Sequence, residues 1–229
     1  MTPGLPPPKP SRRCAQQWGY DPKAIAARWD LHYSEGNSVV RPFYRDPRIV
    51  VPLYSIENGP VGEKVARLAG WEALALTQKP NSESDGWPPD VLYSKGLEGD
   101  TLLYGLHSAL KTSGPLVVVR RIADAWRLET NVVAYRLSTL SYIQTYYIAR
   151  NFRHRPVVIL LPCHSRAKSQ EIADKIRTFR KRECDPAPVL IAQVPRHRWL
   201  VRKCTTQEAW AAVSSALERA DAGLDEIDG

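Results

Sequence analysis

VVILLPCHSRAKSQEIADKI, running from Val157 to Ile176, decides the fold. It opens as an unbroken run of β-branched and apolar residues, breaks at Pro162, and continues with apolar residues at helical spacing in a polar background. A short apolar run followed at once by a helix marks a strand buried on both faces, as in a parallel sheet. In an open α/β sheet, ligands and metals bind where such a strand ends. Many phosphotransfer proteins carry acidic residues at that point, whereas this chain has Pro162, Cys163 and His164.

The same pattern recurs on either side. PLVVV (115–119) precedes IADAWRLE (122–129), and NVVAY (131–135) precedes LSYIQTYYIARNF (140–152). PVVILL (156–161) precedes SRAKSQEIADKIRTFRKR (165–182), and PVLIAQV (188–194) leads through a basic loop to TQEAWAAVSSALERA (206–220). Apolar strands alternating with helices predict a parallel sheet flanked by helices. Right-handed crossovers then bring all four strand C-termini to one rim.

Upstream the pattern is less regular. Residues 1–15 are Pro-rich and lack periodicity, which predicts a disordered arm. DPKAIAARW (21–29) predicts a helix capped by Asp21, RIVVPLYSI (48–56) a strand, and Asn58-Gly59-Pro60 a turn. VGEKVARLAGWEALALT (61–77) fits a strand pair or a helix. QKPNSESDGWPPD (78–90) is a breaker-rich loop, and DTLLYGLHSALKTSG (100–114) predicts a helix from Asp100 to Gly114. The domain layout is therefore an arm over 1–15, a smaller N-terminal α/β subdomain over 16–113, the parallel α/β domain over 114–220 and an acidic tail over 221–229.

Charge narrows the function. The chain carries +8, and residues 116–206 alone hold 18 Lys/Arg against 6 Asp/Glu. So basic a segment predicts a polyanion partner. Cys14, Cys163, Cys184 and Cys204 form no CxxC pair, which speaks for free thiols in a reducing cytoplasm rather than a zinc site. No apolar run reaches the roughly 20 residues of a membrane span, so no membrane partner is expected. The opening residues lack the apolar core of a secretory signal.

The order of segments resembles the RNA-polymerase core of bacterial and phage DnaG-type primases, with a TOPRIM domain in its C-terminal half, over roughly residues 16–213. WGYDPKAIAARWDLHYSEG (18–36), RIVVPLYSIENGPVG (48–62) and PDVLYSKGLEGDTLLYGLHSAL (89–110) are similar to that family's opening stretches, and Leu-Tyr-Gly-Leu at 103–106 is the most specific match. The resemblance implies a TOPRIM-like sheet, a Glu-Gly-x-x-Asp motif after its first strand and an Asp-Gly-Asp motif after its third. Those positions hold Arg120-Arg121-Ile122-Ala123-Asp124 and Pro162-Cys163-His164, so only Asp124 keeps its type. The family's lysine and asparagine in Pro-Lys-Tyr-Leu-Asn-Ser fall on Asp90 and Tyr93.

The family's carboxylates hold Mg²⁺, a hard cation that takes oxygen ligands. A guanidinium about 5 Å from that ion repels it by roughly 6–7 kcal/mol at an effective dielectric near 20. Even a third of this lowers affinity by more than tenfold. The expectation is a catalytically inactive primase-like protein with no catalytic residues, no metal and no cofactor. Arginine forks bind phosphate without a metal. Arg120, Arg121, His164, Arg166 and Lys168 are therefore candidate contacts for single-stranded DNA or RNA. Arg153 and Arg155, Arg180 and Arg182, and Arg196 and Arg198 extend the footprint from three further basic clusters. Phe152 or Trp199 could stack bases, although Trp199 reads better as a core residue.

Other functions stay open. An inactive copy could bind a replicative helicase, a polymerase or a working primase, and a stripped-down replication module suits a mobile element or a virus. RRIADAWRLETNVVAYRLSTL (120–140) also resembles a helix-turn-helix, with Ala123, Leu128, Val132 and Leu137 as packing positions. That alternative requires helix over 131–137. A divergent active primase would need its acids relocated, for instance among Asp46, Glu57, Asp100, Asp124 and Glu129.

Overall fold

The computed structural model describes residues 22–34, 48–58, 64–75, 91–97, 99–195, 197–198 and 200–223. The Pro-rich arm, Asp21, Asp46, the turn at Gly59-Pro60, the loop 78–90, Arg196, Trp199 and the tail from 224 lie outside the described residues. Contacts gather into two compact units. One takes in residues up to 55 and 67–97; the other takes in 56–66 and 98 onward.

The first unit holds helix α1 (Pro22–Trp29) and most of a four-stranded sheet in the order β1 (His32–Ser34), β2 (Arg48–Asn58), β3 (Lys64–Ala75), β4 (Val91–Tyr93), the ends of β2 and β3 past residue 55 and before residue 67 counting with the other unit. The ambiguous stretch 61–77 thus resolves as strand. β1 runs antiparallel to β2 with His32 opposite Val50, and β4 antiparallel to β3 with Tyr93 opposite Glu72. Val50, Trp71 and Ala73 form its buried cluster. Arg48 lies fully buried and donates to the Ala73 carbonyl at 3.2 Å. Gly70 is required by a close approach, because a Cβ there would collide with Ser94 Oγ, which accepts from the Trp71 amide at 3.1 Å.

The second unit is built on four parallel strands in the order β6 (Val132–Ala134), β5 (Leu116–Val119), β7 (Val157–Leu161), β8 (Val189–Gln193). Every residue of β5, β6 and β7 is buried, as parallel strands covered on both faces must be. Helices α4 (Tyr142–Asn151) and α5 (Arg166–Arg182) pack together, as do α3 (Ile122–Leu128) and α6 (Thr206–Asp221). Side chains alternate along the strands. Leu116, Val118, Val157 and Ile159 meet Ile148 of α4 and Ile172, Ala173 and Ile176 of α5. The strand over 132–134 overturns the helix-turn-helix alternative. The β-branched pair Val132-Val133 pairs with Val117-Val118 instead of coiling.

Hydroxyl caps start α4 and α6. Ser141 Oγ accepts from the Gln144 amide at 3.1 Å and Thr205 Oγ1 from the Glu208 amide at 3.1 Å, each completing a capping box. The stretch 100–114 departs from expectation. Only Leu106–Ala109 (α2) is helical, Asp100 does not cap it, and the helix ends before Gly114. Tyr104 forms an antiparallel bridge with Ala134, both hydrogen bonds at 3.0 Å, and Gly105 takes a positive φ of 81° to release the chain from it. Leu103 and Leu106 enter the core, and the Tyr104 hydroxyl accepts from Trp126 Nε1 at 2.9 Å. The motif Leu-Tyr-Gly-Leu is thus a tie between the sheet edge and the core.

Candidate nucleic-acid interface

The four strands point one way, so residues that follow a strand share one rim and residues that precede one share the opposite end. This divides the candidate arginines. Arg120, Arg121, His164, Arg166, Lys168 and Arg198 follow strands and belong to the rim. Arg153, Arg155, Arg180 and Arg182 precede β7 or β8 and belong to the far end. Arg196 lies outside the described residues.

At the rim, Arg120 leaves β5 half-buried, and its Nε donates to the Leu137 carbonyl at 3.4 Å. The register pairing Val118 with Ile159, run on by two residues, sets Arg120 beside Leu161 and so next to Pro162. Arg121, His164 and Arg166 are exposed, and among the described residues none of the three forms an ion pair. His164 sits in a short 3₁₀ turn, Cys163–Ser165, that leads into α5. Lys168 pairs with Glu171 at 2.7 Å, and Lys175 pairs with the same carboxylate at 2.8 Å. Those two hydrogen bonds hold the Glu171 carboxyl down at about 2. Arg198 grips Glu208 with Nε at 3.0 and 3.1 Å from its two oxygens. Glu208 is likewise held down at about 2, chiefly by the Thr205 amide.

Asp124, the one acid of the expected type, does not face the rim as a free ligand. It is 2% exposed. One oxygen accepts from the Arg121 amide at 3.4 Å and the other from the Arg202 amide at 3.1 Å. It therefore closes the N-terminus of α3 and ties it to the 3₁₀ turn Val201–Lys203. Burial pushes its carboxyl above the usual range, against the pull of Arg202 and its amide. Beside it, Tyr135 is fully buried and its hydroxyl has no hydrogen-bond partner among the described residues. Burial moves that phenol up to about 12, although Arg120 opposes the shift. A buried hydroxyl without a partner costs stability. Tyr135→Phe is expected to raise the unfolding free energy by about 1 kcal/mol. In a thermal melt this reads as a Tm about 2–4 °C higher; a lower Tm would mean the hydroxyl has a partner.

The far-end arginines serve the fold to different degrees. Arg180 is 2% exposed, so the expected phosphate contact is corrected: its guanidinium points inward. It donates to the carbonyls of Phe152 and Arg155 at 2.9 Å and Ala187 at 2.8 Å, and faces Asp185 at 3.4 Å. Arg155 is half-buried and donates to the carbonyls of Gly114 and Ala109 and to Asn131 Oδ1 while lying over the Phe152 ring, so each of its three nitrogens already serves the fold. Phe152 itself is fully buried and cannot stack a base. Arg153 and Arg182 remain exposed, Arg153 donating to the Glu183 carbonyl at 3.0 Å. The most exposed aromatic among the described residues is Tyr142, which the sequence reading does not single out. Its signal is its place on α4, off the Ile148 face that enters the core.

The residues at the strand ends do not fit Mg²⁺. Arg120 brings a positive charge, Pro162 has no donor, and both Asp124 oxygens already accept backbone amides. Among the described residues no three His, Cys, Asp or Glu side chains group closely enough to hold a metal ion. No described helix is long and apolar enough to cross a membrane.

The chain matches no protein-family model and no curated protein. Solved structures do match. The zinc-binding and RNA-polymerase domains of the Aquifex aeolicus primase superpose with a TM-score of 0.60 at 18% identity, over 93% of this chain and 59% of that one. The E. coli primase catalytic core gives 0.57 at 16% identity, over 95% and 77%. A DnaG primase catalytic domain bound to ssDNA gives 0.60 at 15% identity, over 91% and 70%. This chain thus spans only 59% of the Aquifex aeolicus structure. With four parallel strands, flanking helices and these superpositions together, the chain carries the fold of the DnaG-type primase catalytic core, its second unit being the TOPRIM-like half.

Proposed function

We propose that this chain is a primase-like replication protein that holds single-stranded nucleic acid on the rim of its parallel sheet and makes no primers. One observation carries the proposal. Where the resemblance expects a metal-binding acid after β5 stands Arg120, and the acid retained nearby, Asp124, is buried under two backbone amides. Such a rim repels divalent cations and attracts phosphate. Arg121 and Arg166, exposed and outside any ion pair among the described residues, are the leading phosphate ligands. Lys168 and Arg198, already engaged by Glu171 and Glu208, contribute less.

The test is a salt titration of binding to a single-stranded oligonucleotide. Affinity is expected to fall steeply with salt, each neutralised phosphate adding about 0.7 to the log–log slope. The triple variant Arg120→Ala/Arg121→Ala/Arg166→Ala should flatten that slope by up to about 2 units. Purified protein given template, nucleotides and Mg²⁺ or Mn²⁺ should yield no primer. Binding that is absent at low salt, or unchanged in the triple variant, would turn the basic surface toward a helicase, polymerase or working primase. Metal-dependent primer synthesis would overturn the inactive assignment.

A further inference from the structure

A second surface lies away from the rim. On the outer side of α4 and α5, Tyr142, Tyr146 and Phe179 form an aromatic cluster. Tyr142 meets Phe179 edge-on with ring centroids 4.9 Å apart, and Tyr146 lies 6.4 Å from the same ring. Tyr142 is 70% exposed and the neighbouring Ile143 39%. The core does not need these rings, because the inner sides of the same helices bury Ile148, Ile172, Ala173 and Ile176. Two arginines lie over the cluster: Arg150 is 5.6 Å from the Tyr146 centroid and Arg182 5.8 Å from that of Phe179.

The surrounding charge selects the partner. Arg150, Arg153, Lys181 and Arg182 are exposed here against Glu183, while Arg177 and Asp174 pair with each other at 2.9 Å. An acidic peptide would satisfy the arginines and leave the rings unused. A single-stranded nucleic acid uses both, with phosphates on the arginines and bases on the rings. The position also fits a track. Lys168, Lys175, Phe179 and Arg182 recur at spacings of seven, four and three residues, which is one stripe of α5. That stripe starts at the rim with Lys168 and runs about 21 Å down the helix.

We propose that the Tyr142–Tyr146–Phe179 cluster, flanked by Arg150 and Arg182, is a base-stacking platform for single-stranded nucleic acid, distinct from the rim. It shares the ligand class with the rim proposal and none of its residues. Stacking depends on bases whereas phosphate contact does not, so the two are separable. The probe is a thymidine oligonucleotide beside an abasic oligonucleotide of equal length and charge, both titrated by fluorescence anisotropy. Wild-type protein should prefer the base-bearing strand by about fivefold to a hundredfold for each stacked base. Tyr142→Ala, safe for the fold at so exposed a position, should lower that ratio, and Tyr142→Ala/Phe179→Ala should bring it close to one. Tyr142→Phe should preserve it. The rim triple variant should lower the salt slope and leave the ratio intact. A wild-type ratio near one, or a ratio unmoved in the double variant, overturns the platform and gives this face to a protein partner.

Discussion

Arg180→Leu is expected to lower the unfolding free energy by about 3–5 kcal/mol. The guanidinium answers the carbonyls of Phe152, Arg155 and Ala187, which lie where three segments converge below the sheet. It also faces Asp185, whose side chain is wholly buried and accepts from the His154 and Ala187 amides. Leucine would leave those carbonyls without a donor and Asp185 as an uncompensated buried charge. Arg180→Leu/Asp185→Leu should therefore be more stable than Arg180→Leu alone, because it removes the stranded charge. Urea unfolding of the two variants and wild type reads this directly. A loss under about 1 kcal/mol for the single variant would mean the cluster is solvated.

Restoring acids to the strand ends should have the next largest effect. In Arg120→Glu/Pro162→Asp/His164→Asp a guanidinium leaves and three carboxylates arrive just past the ends of two adjacent strands, β5 and β7. Removing the repulsion alone should raise divalent affinity more than tenfold, and the new oxygen ligands add to it. Mn²⁺ titration followed by electron paramagnetic resonance should find tight binding in the variant and little in wild type. Equal binding by both would refute the argument from the rim's charge. Primer synthesis is not expected from the variant, since Asp90 stands where the resemblance expects a lysine.

Much of this architecture is legible in the sequence. The apolar runs at 115–119, 131–135, 156–161 and 188–194 are each too short for a helix and rich in β-branched residues, and each holds one of the parallel strands. The stretch 100–114 has helical spacing along its length but is helical only over Leu106–Ala109, because Tyr104 and Gly105 have a tertiary task, the bridge to Ala134, that local spacing does not reveal. The basic clusters were merged into one footprint although their order already separated them: arginines before a parallel strand cannot share a rim with arginines after one. Arg180 carried its own warning. It falls on the Ile172–Ala173–Ile176 side of α5, the side that enters the core. The role of Asp124 was beyond reach, since its partner amide belongs to Arg202, far along the chain.

The bridge at Tyr104 has a bearing on how this protein can be cut and on how it avoids its neighbours. β6 is the outermost strand on its side of the parallel sheet, and an open outermost strand offers its amides and carbonyls to any passing chain. Tyr104 occupies that position at Ala134, and Leu103 and Leu106 close the apolar ground beneath it. A fragment begun at residue 114 would retain all four strands yet leave this side bare, open to strand exchange and self-association. One begun near 98 keeps its own guard. The most specific stretch of the family resemblance thus guards the β6 edge of the sheet.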